Sequence, residues 1–479
     1  MEKEIKQSLY IDGEWRESIS KATKGVENPA TGQMICEIGY GGSEDALLAV
    51  DAADRAFAAW SSASVRERAN ILNRVADLLR QRIDNIAGIL AGESGKPIAQ
   101  AVGEIRFSAE YFQWFAEEIR RPDGQFIPGD AVSKRHYVYS QPAGVALCLT
   151  PWNFPVSIQA RKLAPALAAG CTVVARASEV APLAVIELFK CLHDAGIPKG
   201  VANLIHGPAS STTEAMMKHA AVRVVSFTGS TPVGRSLMRQ AADQMKCLAL
   251  ELGGNAPFIV FEDADIEKAV AGAMIAKFRN NGQSCIGANR FYVHEKVYDK
   301  FAGAFAKNIA SMKIGDPVNE SGVDLGPMIN LKSKTRIERL VRETEALGAT
   351  YLVPRRDVPA TGYYFPPVIM ENVPETCPFA TDELFAPVAP LFKFTDEDDA
   401  IKKANSTDYG LAAYVYTNDL SRSLRVTEAL KFGIIGLNSA LPSVAYAPMG
   451  GVKQSGIGRE GGRIGLEEFM DIKYVAMES

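Results

Sequence analysis

The chain has 479 residues, 47% hydrophobic and 23% charged, with a net charge of -4 at pH 7. At roughly 150 residues per unit that length implies two large domains plus an appendage. The mixture excludes a disordered or low-complexity chain, and the charge leaves no basic footprint for nucleic acid or an anionic membrane.

The N-terminus, Met1-Glu2-Lys3-Glu4, is charged and runs directly into an alternating Leu9–Trp15 pattern around Asp12-Gly13, a hairpin signal with no leader peptide before it. Residues 43–120 read mainly as helix, with Ser43 as cap of a helix over 44–60 and Ile71, Leu72, Val75, Leu78 and Leu79 on one apolar face. Arg121-Pro122-Asp123-Gly124 and Pro128-Gly129 break the pattern, and a strand is expected over 132–139.

From 145 the rhythm alternates: strand 145–150, helix 160–169, strand 172–175, helix 183–195, then strands 201–205 and 222–227. Short apolar strands separated by helices define a parallel α/β sheet covered on both faces, which binds nucleotides at the carboxyl ends of its strands. A second α/β unit is expected over 256–445, and residues 468–477 read as an edge strand. No apolar run reaches the ~18 residues of a membrane helix. The seven cysteines (Cys36, Cys148, Cys171, Cys191, Cys247, Cys285 and Cys377) contain no CxxC pair, which argues against a disulfide framework or a zinc knuckle and for a reducing, cytoplasmic setting.

Four segments carry chemistry. Phe227-Thr228-Gly229-Ser230-Thr231-Pro232-Val233-Gly234 joins a strand to a helix so that backbone N–H groups and the helix dipole face a pyrophosphate; a plain tight turn is the alternative. A literal GxGxxG at Gly456, Gly458 and Gly461 is a decoy, because its acidic ribose partner would lie beyond the last residue. Asn281-Gly282-Gln283-Ser284-Cys285-Ile286-Gly287 places a cysteine between glycines on a polar loop, where a thiolate is reachable by backbone donors, although a lone cysteine is more often inert core. Glu251, flanked by leucines, needs a partner, a raised pKa or a task, and Asn153 beside prolines offers either a fixed amide donor or a turn.

Together these segments resemble the aldehyde dehydrogenase superfamily over essentially the whole chain. The resemblance rests on Pro151-Trp152-Asn153-Phe154-Pro155, the Phe-Thr-Gly-Ser-Thr turn, Glu251-Leu252-Gly253-Gly254-Asn255, the Gly-Gln-Ser-Cys loop, Glu383-Leu384-Phe385-Ala386-Pro387 and Gly450-Gly451-Val452-Lys453-Gln454-Ser455-Gly456, in the family's order. It implies an α/β fold with a Rossmann-type NAD(P)-binding domain (1–122 and 143–255), an α/β catalytic domain (256–445) and a small β oligomerisation element (123–142 and 446–479). It further implies that the Cys285 thiolate attacks the aldehyde, that the oxyanion is held by the Asn153 amide and the Cys285 N–H, and that Glu251 activates the hydrolytic water. Lys162 would support the site. Thr150, Trp152, Arg176, Ser178, Glu179, Gly229, Ser230, Gly234, Leu252, Glu383 and Phe385 would contact the cofactor.

Two finer expectations follow. At Arg176-Ala177-Ser178-Glu179 the glutamate would accept the adenosine ribose hydroxyls and repel a 2′-phosphate, whereas the arginine would attract that phosphate; a close carboxylate dominates, so NAD is favoured over NADP. Arg161, Arg279 and Ser443 are similar to the carboxylate-binding trio of succinate semialdehyde dehydrogenases, which implies a semialdehyde acid as substrate, with glutarate semialdehyde or a broader aldehyde range as alternatives. No metal is expected. Gly287 removes the second cysteine with which some relatives form a redox disulfide, and Met449 stands where a Phe is common. A CoA-acylating relative is disfavoured by Glu251, and a Cys–His hydrolase by the absence of histidine from these motifs. A non-catalytic binding protein of the same fold is disfavoured by the joint presence of Cys285, Glu251 and Asn153. A homodimer or homotetramer built through residues 131–139 and the C-terminal strand is expected.

Overall fold

The computed structural model describes residues 4–5, 7–121 and 123–478; Met1–Lys3 of the expected N-terminus and Pro122 of the expected break lie outside them. The Asp12-Gly13 signal produces its hairpin: both residues take positive φ (55° and 81°), which matches the twist of the flanking strands Leu9–Ile11 and Glu14–Arg16, paired at Tyr10 and Trp15.

That hairpin forms one edge of an eight-stranded sheet. Its order from the other edge is Gly456–Ile457, Cys247–Glu251, Val222–Thr228, Val145–Leu149, Thr172–Arg176, Ala202–Ile205, then the hairpin. The five strands from Cys247–Glu251 to Ala202–Ile205 run parallel, and Gly456–Ile457 and Leu9–Ile11 pair antiparallel with the outer two of them. Because side chains alternate across a strand, Val145–Leu149 sends Ala146 and Cys148 into one core and Val145, Leu147 and Leu149 into the other. Burial on both faces is why these strands read as unbroken apolar runs. The helices Ile98–Glu118, Pro155–Ala169 and Leu183–Asp194 cover one face.

A second, seven-stranded sheet holds Thr350–Tyr351, Val368–Glu371, Val388–Phe394, Ala288–His294, Ala256–Val260, Ala412–Tyr416 and Ile434–Leu437 in that order, parallel except at the first. Lys134–Pro142 pairs antiparallel with Met470–Glu478 along its whole length, and Gln125–Pro128 completes a three-stranded sheet that exposes Phe126, Tyr137, Ile472 and Tyr474.

One local expectation is corrected. Ser43 is the first residue of the helix Ser43–Ser61 rather than its cap; the cap position is Gly42, whose N–H donates to the Asp45 carboxylate at 3.0 Å. Asp45, in the first turn, reaches back to the N–H of the cap residue, while the Ser43 hydroxyl donates to Ser211 O.

Candidate active site

Three strand ends of the first sheet and one loop of the second meet in a cleft of about 240 Å³ lined by Trp152, Asn153, Ser230, Leu252, Cys285, Glu383 and Phe385 among others. Val145–Leu149 delivers Thr150 to Asn153, Val222–Thr228 delivers Gly229 and Ser230, and Cys247–Glu251 ends on the glutamate itself. The cysteine loop enters from the other side, ahead of the strand Ala288–His294.

That loop is fixed by unusual backbone. Asn280 and Asn281 both have positive φ (54° and 57°), conformations asparagine tolerates better than other non-glycine residues. Asn281 donates to Gly95 O and Pro327 O and accepts from the Gly326 N–H; Asn280 donates to Asn153 O and Gln283 O. Cys285 is half-buried at the end of this scaffold. Burial, then the charges of Glu383 and Glu251, push its thiol up to about 12, while Arg161 pulls it down. The resting residue is a thiol, so a proton must leave before it attacks.

Asn153 is 3% exposed; its Nδ2 donates to Gln283 O over a long 3.3 Å, and its Oδ1 has no partner among the described residues. Neither carboxylate oxygen of Glu251 has a hydrogen-bond partner there either. Burial, followed by repulsion from Glu460, raises the Glu251 pKa well above the carboxylate range, against Arg161, Lys162 and Arg459. A Cβ at Gly450 would stand 2.9 Å from Glu251 Oε1, so only glycine lets that chain pass so close. The decoy glycines act alike: Gly456 (φ 138°) lets the C-terminal segment lie against Leu250 and Glu251, and Glu460 follows.

Glu460 had no assigned role in the sequence, yet it organises two assigned residues. Lys162 Nζ is ion-paired with its Oε1 and donates to Ser226 Oγ at 3.0 Å, while Arg161 Nε lies 2.6 Å from its Oε2. Burial opposes the Glu460 charge, but Lys162 and Arg161 outweigh it and hold the carboxyl below its ordinary range. Arg161 also touches the Met449 sulfur, 3.5 Å from Ser443 Oγ, which gives Met449 a structural setting.

Arg279 is placed differently. With Ser443 it lines a separate cavity of about 750 Å³ whose wall includes Phe107, Met274, Met312 and Leu441. Its guanidinium stacks on the Phe154 ring at 4.9 Å and makes no ion pair with a carboxylate among the described residues. It is close enough to Cys285 for the two charges to interact. Arg161 does not line this cavity.

On the cofactor side, Ser230 is the extended N-cap of the helix Thr231–Ala242 and makes no side-chain cap bond; a Cβ on Gly234 would be 2.8 Å from Leu252 Cδ1. This leaves the helix N-terminus open to an anion. Glu383 Oε1 accepts the Gly254 N–H at 3.2 Å, and burial pushes its pKa up to about 7. Phe385, at positive φ (52°), meets Trp152 edge-on at 5.5 Å. Thr150 Oγ1 donates to Gln159 Oε1, and Ser178 Oγ accepts the Val180 N–H. At the far end, Arg176 donates to Gly207 O at 2.8 Å and Glu179 accepts from the Tyr40 hydroxyl. Tyr40 was not anticipated; a lone tyrosine on a loop carries no local signal.

Fold and site together define an NAD(P)-dependent oxidoreductase with a cysteine nucleophile. The model for "Aldehyde dehydrogenase family" matches residues 15–475, and the chain belongs to that family. It is 43% identical over 473 residues to a glutarate-semialdehyde dehydrogenase of Pseudomonas putida and to a succinate-semialdehyde dehydrogenase of Escherichia coli named for NADP(+), each alignment covering 99% of this chain and 98% of the relative. The solved succinate-semialdehyde dehydrogenase of Burkholderia pseudomallei superposes with a TM-score of 0.97 at 43% identity, covering 99% of this chain and 98% of that one. Among the described residues no His/Cys/Asp/Glu cluster suits a metal ion, and no helix is long and apolar enough to cross a membrane.

Proposed function

We propose that the protein oxidises a short aldehyde bearing a distal carboxylate, succinate semialdehyde first and glutarate semialdehyde second, to the dicarboxylic acid. The observation that carries this reading is Arg279: a half-buried cation in the wall of a large cavity and close to Cys285, with no ion pair to a carboxylate among the described residues, since Glu104, whose charge reaches it, is already paired with Lys96. Such a cation is stabilised by an anionic ligand, and Ser443 supplies a hydroxyl beside it. The names of the two curated relatives point the same way.

In the chemistry that follows, Cys285 gives its proton to water and its sulfur adds to the aldehyde carbon. The oxyanion lies between the Asn153 amide and the Cys285 N–H, which no acceptor takes among the described residues. A nicotinamide held by Glu383, Trp152 and Phe385 would supply the hydride acceptor, and loss of hydride from the adduct would leave a thioester on Cys285. Glu251 then removes a proton from water, which attacks the thioester and releases acid and thiol.

The cleft fits such a cofactor. The open N-terminus at Ser230 suits the pyrophosphate, the free Oε2 of Glu383 a ribose diol, and Trp152 and Phe385 a flat ring. We favour NAD over NADP: Arg176 is engaged with Gly207 O, and the Glu179 carboxylate, which accepts from the Tyr40 hydroxyl, would repel a 2′-phosphate placed beside it. In this reading residues 1–122 and 143–255 bind the cofactor, 256–445 carry the nucleophile, and 123–142 with 446–479 join subunits of a cytoplasmic homo-oligomer through the exposed three-stranded sheet.

Steady-state kinetics on both semialdehydes and a neutral aldehyde of equal length, each with NAD and NADP, tests the proposal. A neutral aldehyde with comparable kcat/KM refutes the semialdehyde assignment while leaving the dehydrogenase intact.

A further inference from the structure

Lys96 and Glu104 lie outside every motif of the nucleophile, yet they are 0% and 4% exposed. Lys96 follows Gly95, the left-handed end of the helix Ile83–Ser94, and Glu104 belongs to the next helix, Ile98–Glu118. Their side chains form a buried ion pair. Burying two charges is costly unless their remaining hydrogen-bonding capacity is also used.

Here that capacity converges on one segment. Lys96 Nζ donates to Asn153 O at 2.9 Å, and Glu104 Oε1 accepts from the N–H groups of Val156 and Ser157 at 3.0 and 3.2 Å. Phe154, the N-cap of Pro155–Ala169, supplies no side-chain cap, so Glu104 does. The Phe154 ring has the Lys96 ammonium 4.2 Å and the Arg279 guanidinium 4.9 Å from its centroid. Asn153 O takes a second bond, 2.8 Å, from Asn280 Nδ2, which also holds Gln283 O.

The Asn153 side chain, by contrast, has only the long contact to Gln283 O. Its aim is therefore set by its backbone, and its backbone by Lys96, Glu104 and Asn280. We infer that Lys96, paired with Glu104, is a positioning residue for the reaction: it fixes the Asn153 peptide against the Cys285 loop so that the Asn153 amide meets the developing oxyanion. This rests on the reading of Asn153 as oxyanion donor. Misplacing a reacting group by about 1 Å costs on the order of 100-fold in rate, comparable to losing one oxyanion donor.

A double-mutant cycle on the full enzyme tests it. Lys96→Met is expected to lower kcat about 100-fold with KM changed less than about threefold, and to cost less than about threefold when Asn153 is already Ala. Alkylation of Cys285 by iodoacetamide needs no oxyanion and is expected to stay within about twofold. Glu104→Gln keeps the side-chain size and serves where Lys96→Met does not accumulate; its loss, about tenfold, is expected to vanish equally in the Asn153→Ala background. Wild-type kcat in the Lys96 variant, equal losses in both backgrounds, or a parallel fall in alkylation overturns the inference. Wild-type kcat in Asn153→Ala alone overturns the oxyanion reading and the inference with it.

Discussion

Arg161 and Glu460 meet inside the protein, Nε 2.6 Å from Oε2, with both side chains no more than 6% exposed. The two arginines expected to share a substrate carboxylate are thus in different situations: Arg161 is ion-paired with Glu460, whereas Arg279 feels the charge of Glu104 without an ion pair to it among the described residues. Arg279→Ala is expected to raise KM for a semialdehyde acid about 10- to 100-fold, as for a lost hydrogen bond to a charged group, and to leave a neutral aldehyde unchanged. Arg161→Ala is expected to destabilise the fold, by up to about 3–5 kcal/mol where the Glu460 charge is left uncompensated, and to lower kcat for both substrates. Denaturant titration beside the kinetics separates the two; identical behaviour contradicts the assignment.

Glu251 serves as base only when ionised. Burial and Glu460 raise its pKa, so the hydrolytic step speeds up as pH rises through that pKa. Glu460→Gln removes the repelling charge and frees Arg161 and Lys162, and both changes favour ionised Glu251. The rising limb of kcat, measured between about pH 5 and 10, is expected to move to lower pH. A limb that stays or moves upward counts against Glu251 as the base.

The Cys285 thiol, pushed up to about 12 by burial and then by Glu383 and Glu251, carries little thiolate at neutral pH without cofactor. Alkylation by iodoacetamide, followed by mass spectrometry of the Cys285 peptide, is expected to climb without a plateau to about pH 10. A plateau near neutrality means that a nearby cation has overcome burial.

Glu179→Ser removes the carboxylate beside the expected adenosine ribose. The ratio of kcat/KM for NADP over NAD is expected to rise about tenfold or more, because a repulsive group no longer faces the 2′-phosphate. An unchanged ratio places the discrimination elsewhere.

Residues that act through local backbone chemistry were legible from sequence. Asp12-Gly13 needs positive φ and obtains it; Ser230 stands as the extended N-cap of the helix that follows it; the apolar runs from 145 onward are strands because both faces are covered. Cys285, Glu251 and Asn153 were legible only through their ordered motifs; Asn153 and Cys285 line one cleft, and Glu251, which does not line it, is near enough for its charge to reach Cys285. Residues whose role lies in a distant partner were not. Glu460 looks like one charge in a glycine-rich tail until Lys162, remote in sequence, is seen against it, and Lys96, Glu104 and Tyr40 carry no pattern of their own. Ser43 shows the converse, since a residue suited to capping lies one position inside the helix and the cap position falls to Gly42.

The short strand Gly456–Ile457 closes one edge of the sheet whose other edge is the strand Glu14–Arg16. Its consequence concerns assembly: as the chain emerges from the ribosome, the residues for the nucleophile and the cofactor cleft are present long before Glu460. Until that segment arrives, Arg161 and Lys162 lack their counter-charge and the Glu251 strand keeps an unpaired edge, a state open to water and to wrong pairing.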